Sequence, residues 1–172
     1  MFGLFNSKLA PEGPVEFAAS VKIDKPASEV YALVDWADER NAKLATGNKV
    51  YPIENKPNRF DMVMPFLPDL TFEFLVKEAV PHSKYAYGCI IKPGCGNLAQ
   101  TQEAFEFEEL RRNRCRVTLT CTTTFVDGLR TRDFTNEVAT MAASVQSSLQ
   151  KLKLQAELGA EVAKALEENT VL

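Results

Sequence analysis

The sequence predicts an α+β fold: a curved antiparallel sheet of seven strands wrapped around one long C-terminal helix, with two short helices after the first strand. Three observations carry that expectation. An alternating segment, Val15–Ile23, is followed by a short helical insert, Pro26–Leu44. A run of further alternating segments then occupies Thr46–Val126, and one long helical pattern runs from about Arg130 to Leu158. Strands on both sides of a helical insert can close into a bent sheet that grips a single helix and leaves an apolar hollow beneath it.

Each element follows from local chemistry. In Val15–Ile23, Phe17, Ala19, Val21 and Ile23 share one face and Glu16, Ser20 and Lys22 the other, the pattern of a half-buried strand. Pro26 suits the first helical position, where its missing N–H is no loss. Glu29 sits in the first turn, and Val30, Leu33 and Val34 recur at helical spacing. A bend near Trp36 leads to a second short helix at about Asp38–Leu44.

Strands are expected at Lys49–Ile53, Arg59–Met64, Leu70–Val80, Tyr85–Ile91, Leu98–Leu110 and Cys115–Phe125. Turns fall at Pro57-Asn58, Pro65–Asp69, Pro81–Lys84, Lys92–Asn97 and Arg111–Arg114. In Leu98–Leu110, Phe105 and Phe107 set the inward face, and alternation places Thr101 and Glu103 on it too. In Cys115–Phe125 the inward set is Val117, Leu119, Cys121, Thr123 and Phe125. Threonines fill the outer positions, as suits a solvated antiparallel sheet. Asp127-Gly128 breaks the pattern. Phe134, Val138, Met141, Val145, Ser148 and Leu152 then form a helical stripe, and Gly159 ends or kinks the helix.

At 172 residues the chain is expected to form one main domain, residues 15–158, with a tail at 1–14 and a helical extension or tail at 159–172. Its 45% hydrophobic and 25% charged shares are ordinary for a globular protein. A net charge of −3 argues against a nucleic-acid partner, and the small basic cluster Arg111, Arg112, Arg114 and Arg116 reads as a solvated turn balanced by Glu106, Glu108 and Glu109. No apolar run approaches the ~20 residues of a transmembrane helix. The N-terminus Met1–Lys8 starts apolar, but it is too short for a signal-peptide core and lacks a charged leader. It is read as a loose tail, with a small membrane or partner anchor as the alternative, and the expected compartment is the cytoplasm. Cys89, Cys95, Cys115 and Cys121 form no Cys-x-x-Cys and are expected to be buried, reduced thiols.

Two segments carry a family resemblance. They are the opening strand Phe17-Ala18-Ala19-Ser20-Val21-Lys22-Ile23 and the following Asp24-Lys25-Pro26-Ala27-Ser28-Glu29-Val30-Tyr31-Ala32-Leu33-Val34-Asp35. With the aromatic–acidic strands and closing helix, they resemble the START-like superfamily, which includes the polyketide cyclase/dehydratase and lipid-transfer group and plant pollen-allergen proteins. The resemblance covers about Val15 to Leu158. It implies a helix-grip fold with a ligand cavity and no single chemistry, since the superfamily holds binders, transporters and enzymes.

Candidate ligand contacts follow from the inward faces: Phe72, Phe74, Tyr85, Tyr87, Thr101, Glu103, Phe105, Cys121, Thr123, Met141 and Val145. Glu103 is the candidate catalytic residue. A carboxylate in an apolar hollow can accept a ligand hydroxyl, or exchange protons with its proton affinity raised by desolvation. Its alternative is a structural carboxylate turned to solvent by a bulge. Tyr85 and Tyr87 offer phenolic donors, or hydroxyls reaching solvent at the sheet edge. His82, the single histidine, reads as a surface-turn residue, and without ligand-spaced carboxylates no metal site is expected. No cofactor is expected.

Three functions stand open. The first is binding or transport of a hydrophobic small molecule such as a lipid, isoprenoid or aromatic polyketide. The second is a cyclase/dehydratase-type enzyme using Glu103, with a second polar group within hydrogen-bond reach of it as the discriminating feature. The third is an interaction protein with a vestigial cavity. A homodimer is left open as a further partner.

Overall fold

The computed structural model describes residues 8–111 and 113–170, with side chains as far as residue 165. The apolar start Met1–Ser7 lies outside the described residues. Seven strands form one sheet: β1 (Val15–Ile23), β2 (Lys49–Pro52), β3 (Arg59–Met64), β4 (Leu67–Val80), β5 (Lys84–Lys92), β6 (Leu98–Leu110) and β7 (Arg114–Phe125). The helices are α1 (Ala27–Val34), α2 (Ala42–Ala45), α3 (Thr131–Leu158) and α4 (Ala160–Thr170). The strand order is β1-β7-β6-β5-β4-β3-β2, antiparallel throughout. Five hairpins lay β2 to β7 side by side, and β7 then pairs with β1.

Beyond one-residue shifts at the ends of β2, β5 and β7, three boundaries differ from expectation, each for a local reason. Pro26 caps α1 and does not begin it: its ψ of 151° is extended. With no capping side chain of its own, the helix gives the Ala27 N–H to Glu109 Oε2 of β6, at 2.8 Å. The second helix starts at Ala42 and not at Asp38. The Asp38 carboxylate accepts the Arg40 N–H and guanidinium and holds a turn there, while Asn41 Oδ1 accepts the Lys43 N–H and starts the helix. β4 begins at Leu67, three residues early, because Met64 pairs with Leu67 across Pro65-Phe66. Pro68 is tolerated because β5 joins β4 only from Thr71, so at Pro68 the strand is still an edge.

Strand register places the side chains. The β6 irregularity falls between Leu98 and Gln100, upstream of Glu103, so alternation from Thr101 to Phe107 is undisturbed. Thr101, Phe105 and Phe107 are buried. All five expected inward residues of β7 are buried as well, with Val117 and Thr123 at 0% exposure.

α3 packs against β1 and β7, with Val145 and Leu149 buried on that side. Its 28 residues give a length of roughly 42 Å. Both ends are clamped. At the start, Lys8 O accepts the Thr131 N–H at 2.9 Å, and Asn97 donates to Glu137 at 2.7 Å. Near the finish, Lys153 donates to Lys22 O and Glu157 accepts the Asp24 N–H, each at 2.7 Å. At Gly159 φ is 95°, a conformation that side chains resist, and α4 continues from there. No helix among the described residues is long and apolar enough to cross a membrane.

The cysteines differ in environment. All four are unpaired thiols; Cys115 and Cys121 are buried, Cys89 is half-buried and Cys95, against expectation, is exposed on its loop.

If α3 is held by its β1–β7 face, truncation there is costly and truncation on its other side is not. Leu149→Ala (1% exposed) is expected to lose about 2–5 kcal/mol in urea unfolding, and Ser147→Ala to stay within about 0.5 kcal/mol of wild type.

Candidate functional site

The face of α3 not packed on β1 and β7 overlooks a cavity of about 420 Å³. Two unlike walls enclose it. The sheet wall is aromatic and aliphatic: Met62 and Met64 from β3, Phe72 and Phe74 from β4, Ile91 from β5 and Phe105 from β6. Trp36, from the α1–α2 connection, stacks on Phe74 at 4.0 Å between ring centroids and meets Tyr87 edge-on at 5.5 Å. The helix wall is more polar, with Ser144, Ser148, Lys151 and Gln155 along one line of α3 and Ser147 beside it, while Met141 and Leu152 of α3 and Ala163 of α4 add apolar surface. The cavity opens where Ala99, Gln100, Ser144 and Ser148 reach solvent.

Glu103 and Tyr87 form the polar centre of the sheet wall. They are direct cross-strand partners on β6 and β5. The Tyr87 hydroxyl donates to Glu103 Oε2 at 2.7 Å. Burial raises the proton affinity of Glu103 above the ordinary glutamate range; the Tyr87 hydrogen bond, and then the Lys43 charge, pull it back down. Burial, followed by the Glu103 charge, raises Tyr87 well above an ordinary phenol. Cys89, also in the lining, is pushed up to about 12, chiefly by burial. The site therefore offers a carboxyl group able to give or take a proton, beside a phenol that stays protonated.

Of the candidate ligand contacts, Phe72, Phe74, Tyr87, Thr101, Glu103, Phe105 and Met141 line the cavity. Tyr85, Cys121, Thr123 and Val145 lie outside the lining. Tyr85 is buried deeper, where its hydroxyl accepts the Trp36 backbone N–H at 3.0 Å. Neither expected solvent-reaching tyrosine hydroxyl is found: one serves Trp36 and the other Glu103. Cys121 and Thr123 face inward on β7, but α3 packs over that side. Val145 is buried in the same contact. Phe107 sits beyond the cavity against Tyr31, 5.4 Å between centroids. His82 is exposed in its turn, its ring edge-on to Tyr31 at 5.9 Å.

Sequence reasoning missed the polar wall. Ser148 reads as part of the apolar stripe and Ser144 and Ser147 as small flanking residues. The signal was present in the spacing 144, 148, 151, 155, a polar line adjacent to the apolar line 145, 149, 152, 156. Trp36 and Lys43 were missed because the connection from α1 through α2 has no periodicity to orient them.

No family model matches the sequence, and no curated protein matches it. Solved structures do. The crystal structure of Ara h 8.0201 superposes with a TM-score of 0.59 at 12% identity, covering 83% of this chain and 99% of that one. The protein XoxI from Bacillus cereus gives 0.60 at 16%, covering 86% and 98%. The di-domain ARO/CYC protein BexL, from the BE-7585A biosynthetic pathway, gives 0.56 at 19%; 90% of this chain matches half of that one. At such identities the likeness speaks for the fold, and it agrees with the strand order and the long closing helix. The chain has the START-like helix-grip fold.

Proposed function

We propose that the protein binds a small, largely apolar molecule in the space between α3 and the β3–β6 wall. The supporting observation is the lining: a cavity of about 420 Å³ whose sheet wall is mainly aromatic and aliphatic, with a hydrogen-bonded carboxyl–phenol pair among its few polar groups. Small-molecule sites are commonly built this way, with apolar surface for affinity and a few placed polar groups for orientation. Glu103 would accept a ligand hydroxyl, and Tyr87 would fix the carboxylate that receives it.

A cyclase- or dehydratase-type enzyme is the second reading. What favours it is the 2.7 Å Tyr87–Glu103 contact, the neighbouring polar group such chemistry requires. The ARO/CYC neighbour BexL is compatible with it. On this reading Glu103 moves a proton while the walls hold the substrate's shape.

Native mass spectrometry of freshly purified protein is expected to show a bound small molecule that denaturation releases. A cavity that is empty and takes up no apolar probe would sink the proposal. Glu103→Gln separates the two readings. It should change affinity by a few-fold if the protein only binds, and abolish turnover of an accepted substrate if it catalyses.

The same substitution has a pH signature. Burial raises the folded-state affinity of Glu103 above its ordinary value of 4.5, so between that value and the raised one the folded protein holds more proton than the unfolded chain. Stability therefore falls as pH rises through this window. Urea midpoints measured against pH should show Glu103→Gln gaining on wild type above pH 4.5, then a constant difference. A difference flat from pH 4 upward would mean Glu103 ionises as it would in water.

A further inference from the structure

We infer that the occupant of this cavity is an anionic amphipath, an apolar molecule ending in one carboxylate or group of similar size and charge. Lys43 and Lys151 receive that end at the corner between α2 and α3. The inference rests on the binding reading above and adds the charge and orientation of the ligand.

Three observations converge on that corner. Lys43 and Lys151 both line the cavity, from helices that touch: Gln155 Nε2 donates to Ala42 O at 3.5 Å. Lys43 is the residue next to Ala42, and Lys151 lies one turn before Gln155 on the same side of α3. Both residues therefore border the cavity at this corner, one from each helix. Second, Lys43 makes no hydrogen bond or ion pair through its ammonium group with any described residue, although the residue is half-buried. Its backbone is held in place: the N–H donates to Asn41, and the carbonyl accepts from Asn48 and Thr46. Third, the charge of Lys43 is felt at Glu103, so it acts into the cavity and not only into bulk solvent.

Glu103 does not neutralise Lys43 at close range, because its carboxylate is engaged by Tyr87 and no ion pair joins it to the lysine. An incoming anion is repelled by Glu103 and attracted by the lysines. It settles at the α2–α3 corner with its apolar part toward Phe72, Phe74 and Phe105. Ser147 and Ser148, in the same wall, are placed to donate hydrogen bonds to it. A neutral molecule of the same shape fills the aromatic wall equally well and leaves Lys43 without a counter-charge.

The test compares dodecanoate with dodecan-1-ol at pH 8. Trp36, the single tryptophan, lines the cavity and reports occupancy by its emission, with native mass spectrometry as a second readout. Wild type is expected to bind dodecanoate at least about tenfold more tightly than the alcohol, and added salt should narrow that gap. Lys43→Met keeps the apolar stem and should weaken dodecanoate roughly tenfold while leaving the alcohol within about twofold. Lys151→Met, on the other helix, should act in the same direction and guards against a folding defect in the first variant. Equal affinities for acid and alcohol, or equal losses of both in Lys43→Met, overturn the charge assignment and leave the binding reading standing. If neither compound binds, both readings fall.

Discussion

Everything about this cavity depends on α3 having two unlike faces. Val145 and Leu149 are buried on the side of β1 and β7, while Ser144, Ser148, Lys151 and Gln155 line the cavity, with Leu152 at the border between the two faces. Burying hydroxyls, an amide and an ammonium against Phe72 and Phe105 would strip them of water with too few partners in return. The helix therefore cannot settle onto the aromatic half of the sheet. It is held off, and the space stays open. A helix with leucines along that second line would collapse onto the wall and leave the same fold without a hollow.

Polar clamps at both ends make that stand-off rigid. Lys8 and Asn97 engage the first turns of α3, and Lys22 and Asp24 engage the last ones. These contacts reach α3 from β1 and from the loops at its two ends, so they fix its height above the sheet without drawing on the cavity face. The expense of the hollow falls on a few buried groups. Glu103 is the main one, and Tyr87 moderates it with a short hydrogen bond. Because Glu103 and Tyr87 are cross-strand partners, the pair is set by sheet register and stands ready before any guest arrives.

The strands were legible in the sequence because each has one dry face and one wet face. β1, β3 and β6 match their expected limits residue for residue, and the inward set of β7 is buried throughout. The placement of Glu103 was legible for the same reason, since no bulge falls between Thr101 and Phe107. The edges of the pattern were not. Leu67–Asp69 reads as a loop because it contains Pro68 and Asp69 and follows Pro65, yet hairpin pairing at Met64–Leu67 carries it into β4. Cys121, Thr123 and Val145 face inward as alternation and periodicity require. Which part of the inward surface α3 covers is a tertiary fact that no single segment encodes. The polar line on α3 was encoded, but a hollow must be assumed before serines facing inward make sense.

That last point bears on how occupancy and stability relate. A polar line opposite an aromatic wall is poor design for a packed core, because neither surface offers the other a matching partner. A guest of the proposed kind, with an apolar body and a polar end, would match both surfaces. On the proposed reading, filling the space would restore dispersion contacts to Phe72, Phe74, Phe105 and Trp36, and the polar end would give Lys43 its counter-charge. The same mismatch that keeps the hollow from collapsing would then select what completes it, and would tie binding to stability through mass action on the folded state.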